Sequence, residues 1–167
     1  MPWLVSDVNR HDVVWLIDYM TNSSDNDLKH FGDICAGHLK NNDWTIEIES
    51  FWTEPYDFGR MKEKSPALYG KLSEASLIVV KGDLNHRKLI GDVNWEHTTT
   101  LKTVLRRIDF RPTNLVTLRT LKSDLCVGLQ PGKAEELSGK DKHWHCIGKY
   151  GSINAYTNPD YHSGDKR

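Results

Sequence analysis

A chain of 167 residues, 38% hydrophobic and 27% charged, is long enough to bury one real core. Its formal net charge of −1 gives no electrostatic case for nucleic acid or an anionic membrane as partner. No apolar run approaches the roughly 20 residues that a bilayer span requires. The three cysteines, Cys35, Cys126 and Cys146, are odd in number and far apart. They make neither a disulfide framework nor a zinc knuckle, so a reduced, cytoplasmic compartment is the expectation.

Trp3-Leu4-Val5 reads as a short strand with Ser6 and Asp7 at its end. No basic leader or long apolar core precedes it, so the chain opens like the interior of a domain and the sheet is expected to be incomplete at the N-terminus. Asp12 then caps or leads a helix with Val13, Leu16, Ile17 and Met20 on one face. Residues 21–27 form a turn cluster, after which Leu28, Phe31, Cys35 and Leu39 make a second helical stripe that stops near Asn41-Asn42. The alternation from Trp44 to Trp52 predicts a strand.

Pro55, Gly59 and Pro66 break the following segment, and Ser65-Pro66 starts another helix. Leu77-Ile78-Val79-Val80 reads as a strand buried on both faces, followed by the polar run Lys81-Gly82-Asp83-Leu84-Asn85-His86-Arg87. Thr98–Thr100 caps a helix carrying Leu101, Val104, Leu105 and Ile108, which Pro112 keeps from continuing. Leu115–Leu118, Leu125–Leu129 and the glycine-interrupted Trp144–Ile153 are further strand candidates, with a surface loop expected over residues 130–142. Strands alternating with helical stripes predict an α/β fold with a mainly parallel sheet flanked by helices, Rossmann-like and three-layered. One domain is expected over residues 1–157, with a polar tail at 158–167.

Three polar clusters each follow a strand: Ser6-Asp7, Lys81 to Arg87, and Arg119 to Lys122. In a parallel sheet their carboxyl ends share one edge and can line one crevice. Asp7 suits a hard divalent cation, Asp83 and Asn85 suit ligand hydroxyls, and Arg87 with Lys122 suits a phosphate. That combination is what phosphoryl chemistry asks for. Taken singly, each has a plainer reading: Asp7 as a helix cap, Arg119 and Lys122 as an exposed strand end. His143 and His145 share a strand face but lack a third ligand at suitable spacing for zinc. No G-x-G-x-x-G follows a strand, so a dinucleotide or adenosyl-cofactor site is not visible.

The same residues resemble the damage-control phosphatases. Trp3-Leu4-Val5-Ser6-Asp7-Val8 with His11-Asp12, the run Lys81 to Leu89, and Arg119-Thr120-Leu121-Lys122 match in order and spacing. The nearest subgroup holds the acidic-residue-methyltransferase-like proteins and fungal sugar-phosphate phosphatases, and the resemblance covers the C-terminal part of that domain. It implies a metal-dependent phosphatase using manganese, cobalt, nickel or magnesium, with a small phosphate ester such as fructose 1-phosphate as partner. Asp7 is then a metal ligand. Asp83, Leu84, Asn85, His86, Arg87 and Lys122 bind substrate, with Lys81 and Arg119 in support. His86 replaces the usual tyrosine of the run. The family's Asp-Asn pair, expected to supply the nucleophile and the other metal ligands, would lie upstream, and Asp25-Asn26 stands in the wrong context to replace it. A single carboxylate does not hold Mg²⁺ or Mn²⁺ tightly. The alternatives are an S-adenosylmethionine-dependent protein-glutamate methyltransferase, an activity also assigned to the subgroup, or a non-catalytic binding module.

Overall fold

The computed structural model describes residues 8–161. The expected Trp3–Val5 strand and Asp7 lie outside them. The chain divides into two compact units at Glu54–Pro55.

The first unit is a helical hairpin. Helix α1 (Arg10–Thr21) is capped by Asn9, not Asp12. The Asn9 side chain accepts from the Asp12 amide, and the Asp12 carboxylate accepts in return from the Asn9 amide. Asp12 is thus the second member of a capping box. Helix α2 (Asn26–Lys40) begins earlier than the turn-rich sequence suggests, because the Asp25 carboxylate caps the amides of Asp27 and Leu28. It ends as expected, with Asn42 in the left-handed conformation at φ 60°. Ile17, Met20 and Cys35 form the core between the helices, with Val13, Ala36 and Leu39 against it. A β-carbon on Gly32 would stand 2.5 Å from the Thr21 amide nitrogen, so the close approach of the helices requires glycine there. The strand expected over residues 44–52 does not form. Alternation marks two faces, but a strand also needs a partner; Ile48 is exposed and Ser50–Thr53 closes into a 3₁₀ turn.

In the second unit, a 3₁₀ turn (Phe58–Arg60) runs into α3 (Met61–Lys64) and then α4 (Pro66–Ser73), which has proline in its first turn as expected. The sheet contains β1 (Ile78–Lys81), β2 (Leu115–Thr120) and β3 (Gly151–Tyr156), in that spatial order. Strand β1 runs parallel to β2, and β3 runs antiparallel to it. The α/β class stands, but the sheet is small and mixed; a Rossmann-like parallel sheet is not confirmed. Nor is β1 buried on both faces, since Leu77 and Val79 are about half exposed.

Helix α5 (Asp83–Leu89) packs on β1 and β2, and α6 (Leu101–Arg107) packs against β3. The Thr100 hydroxyl caps α6, whose Leu101, Val104 and Leu105 are buried. The helix ends before Pro112 can act, at a left-handed Asp109. Residues 125–129 are buried as expected at Cys126 and Val127 but are not a strand. Gly128 (φ 78°) interrupts the extended run, and among the described residues backbone bonds to the chain beside it come only at this point, from the Gly128 and Leu129 amides to the Thr99 and His97 carbonyls. The expected loop at 130–142 contains α7 (Lys133–Lys140), in which Glu136 pairs with both Lys133 and Lys140. The last strand starts at Gly151, later than expected, because Trp144 sits in a turn and packs with Leu121, Cys126 and Leu137. Asn158 is buried and tied to Asn114 and Arg111. Among the described residues no helix is long and apolar enough to cross a membrane.

Candidate functional site

Parallel pairing places the carboxyl ends of β1 and β2 side by side, with Lys81 opposite Leu118. Two of the three polar clusters are therefore neighbours. The Gly82 amide donates to the Leu118 carbonyl at 2.9 Å. Its own backbone adopts φ 102° and ψ 160°, a region open to glycine alone. That turn converts the expected polar loop into helix α5 directly after the strand.

Arg119 and Asp83 join the two motifs. The Arg119 side chain is fully buried, and its Nε donates to Asp83 Oδ1 at 2.8 Å. Its remaining nitrogens donate to the Leu125 carbonyl, the Ser123 carbonyl at 3.1 Å and the Ser123 hydroxyl at 2.7 Å. With four of its five N–H groups engaged and the side chain buried, this guanidinium does not present itself to a phosphate in solution. It holds the start of α5, the end of β2 and the 123–125 bend together. Lys122, between these anchors, is exposed.

His86 faces inward. It is fully buried, with Nδ1 3.0 Å from the Thr117 hydroxyl and Nε2 without a partner. Burial pushes its pKa down to about 4, with Arg119 adding to the shift and Asp83 opposing it. The ring is neutral near pH 7 and packs between α5 and β2.

Arg87 faces outward. Its Nε and Nη2 donate to the two carboxylate oxygens of Asp92 at 2.7 and 3.0 Å, while the side chain stays 38% exposed. Hydrogen bonding to Asp92 raises its already high pKa further. Asn85 donates to the Lys81 carbonyl at 3.0 Å, and Leu84 is exposed. Lys81 shares a sheet face with Leu118, so it projects from the side opposite Arg119. The structure thus brings Asp83 together with the buried Arg119 and His86. It leaves Asn85, Arg87 and Lys122 as the polar groups that can meet a solute.

Sequence reasoning missed Asp92, Thr117 and Ser123. Asp92 carried a signal in its spacing of five from Arg87 across a Gly-Asp turn. The other two carried none.

The chain matches the model of the damage-control phosphatase ARMT1-like domain over residues 1–137. It belongs to that family. Damage-control phosphatase ARMT1 of Mus musculus is 40% identical over 153 residues, covering 92% of this chain and 34% of the relative. The Homo sapiens relative of the same name is 40% identical over 159 residues, covering 95% and 35%. That of Danio rerio is 40% identical over 153 residues, covering 92% and 34%. The chain spans about a third of the length of these relatives. Family membership implies a metal ion. Among the described residues, however, no three His, Cys, Asp or Glu side chains gather as ligands. Asp83 is held by Arg119 and Asp92 by Arg87. The described residues do not by themselves form a metal centre.

Proposed function

We propose that this chain carries the substrate-holding portion of a phosphatase for sugar phosphates such as fructose 1-phosphate, acting in the cytoplasm with a divalent cation such as Mn²⁺. Family membership supports the hydrolase class. The observation that carries the reading is the ion pair between Asp83 and the buried Arg119, which ties the Lys81–Arg87 run to the Arg119–Lys122 run at one sheet edge. Arg87, fixed by Asp92, offers a phosphate its outward guanidinium edge, and Lys122 supplies a second cation. Offsetting phosphate charge this way favours attack by water, because repulsion of the nucleophile falls. Asn85 takes a sugar hydroxyl. Asp83, Leu84 and His86 shape the site by holding α5, and Lys81 adds positive charge beyond the strand end. Asp7, outside the described residues, is proposed as one oxygen ligand of the cation. The three strands are proposed to be part of a larger, mainly parallel sheet.

Binding and turnover are tested separately on the 167-residue protein. Fructose 1-phosphate binding is followed by NMR and phosphate release by a colorimetric assay with and without Mn²⁺. Arg87→Ala and Lys122→Ala are each expected to weaken binding about tenfold, equivalent to about 1.4 kcal/mol. Lys122→Ala, an exposed change, should leave the urea midpoint within about 0.5 kcal/mol of the parent. Arg119→Ala should instead destabilise the fold by about 3 kcal/mol, since it removes a buried guanidinium and leaves Asp83, Ser123 and Leu125 without their shared donor. Whatever response to Mn²⁺ the chain gives should be lost in Asp7→Ala. Fructose 1-phosphate binding indifferent to both Arg87 and Lys122, or calorimetric binding of S-adenosylmethionine in its place, would sink the reading.

A further inference from the structure

Helix α1 carries Trp15, Asp18, Tyr19 and Asn22 at i, i+3, i+4 and i+7, and therefore on one face. The Trp15 and Tyr19 rings stack with centroids 5.4 Å apart and planes 20° from parallel. Both remain more than half exposed, at 58% and 59%. Ser23 and Ser24 close the end of this face, leaving an open depression of about 490 Å³. It lies wholly within the helical hairpin and away from the Asp83–Arg119 edge in sequence.

Two features give the depression a chemistry. Asp18 is oriented, because the Asn22 side chain donates to its Oδ1 at 3.2 Å and to its carbonyl at 2.9 Å. The surrounding chain is also acidic on balance: over residues 10–29, Asp12, Asp18, Asp25 and Asp27 stand against Arg10 and Lys29. Such a balance favours a cation over a phosphate ester. Stacked aromatic rings beside a fixed carboxylate favour a flat cation over a compact one. A guanidinium can stack flat on the indole face and pair with the carboxylate through two N–H groups in its own plane, whereas an ammonium has neither the flat surface nor the fork.

We propose that the Trp15–Asp18–Tyr19 face binds an arginine side chain presented by a peptide or protein partner. The proposal is independent of the phosphatase reading. It is tested by titrating the ¹⁵N-labelled 167-residue protein with acetyl-Gly-Arg-Gly-amide and its lysine and citrulline counterparts. The Trp15 indole resonance is assigned from its loss in Trp15→Phe. The arginine peptide is expected to shift that resonance saturably. The neutral citrulline peptide, and Asp18→Asn with the arginine peptide, should each bind about tenfold or more weakly, and lysine should fall between. Unchanged resonances from the rest of Asp18→Asn will show that its fold is intact. Equal binding of arginine and citrulline peptides, no effect of Asp18→Asn, or saturation by a neutral sugar in place of the arginine peptide would each overturn the proposal.

Discussion

His86 is the most consequential single residue because its burial sets both a structural role and a pH response. The ring is fully buried, has a Thr117 hydroxyl at one nitrogen and nothing at the other, and titrates near pH 4 in the fold. An unfolded histidine titrates near 6.5. The folded value is the lower one, so the unfolded chain takes up the proton first and stability falls as pH drops. The contribution is present in full above about pH 6.5 and is lost progressively as pH falls toward 4, amounting to on the order of 3 kcal/mol. Urea midpoints between pH 7.5 and 4 should show this loss, and His86→Phe should flatten that part of the profile. A parent profile as flat as that of His86→Phe would mean that His86 is not buried neutral.

Among the elements, the Gly82 turn decides whether the polar run becomes a site. No neighbouring atom lies within 4 Å of where a Gly82 β-carbon would stand, so Gly82→Ala meets no clash and acts through φ 102° alone. It should destabilise the protein by about 1–3 kcal/mol and loosen Arg87, which α5 presents. Gly70, exposed within α4 and equally free of neighbours, is the control. Gly70→Ala should stabilise by about 0.5–1 kcal/mol. Thermal or urea unfolding of the pair checks both signs; equal effects would show that the Gly82 conformation is not constrained. The same contrast shows what was legible in the sequence. Helices α1 and α2 announced themselves through apolar spacing, α4 through Pro66 and α6 through its Thr100 cap and apolar face, because those signals act within a turn or two. Segments 44–52 and 125–129 were misread because pairing depends on a remote partner that alternation does not name. The site was legible as two motifs and a sheet edge. Which of its polar residues lie inside was not, since the partners of Arg119 and His86 stand 36 and 31 residues away.

At the scale of the molecule, the two faces of the sheet differ. Ile78, Val80, Leu115, Thr117 and Tyr156 alternate onto the side covered by helices, where Val80, Leu115, Thr117 and Tyr156 are buried. Val79, Val116 and Ala155 form one row of the other side, and Lys81, Leu118 and Ile153 form the next. Val79 is 56% exposed and Ile153 is 76% exposed. A mostly apolar sheet face in water, with β1 and β3 each bonded on one side among the described residues, favours contact with another apolar surface or strand edge. The 167-residue protein should therefore associate as its concentration rises and should enhance the fluorescence of a hydrophobic dye. Val79→Thr combined with Ile153→Thr keeps β-branched side chains suited to the strands while removing apolar surface. Sedimentation velocity over a hundredfold concentration range should show the double variant remaining monomeric where the parent associates. A parent that stays monomeric and silent to the dye would mean that this face is already covered in solution. Retained dye enhancement in the double variant would instead point to the exposed Phe31 and Ile34 of the helical hairpin.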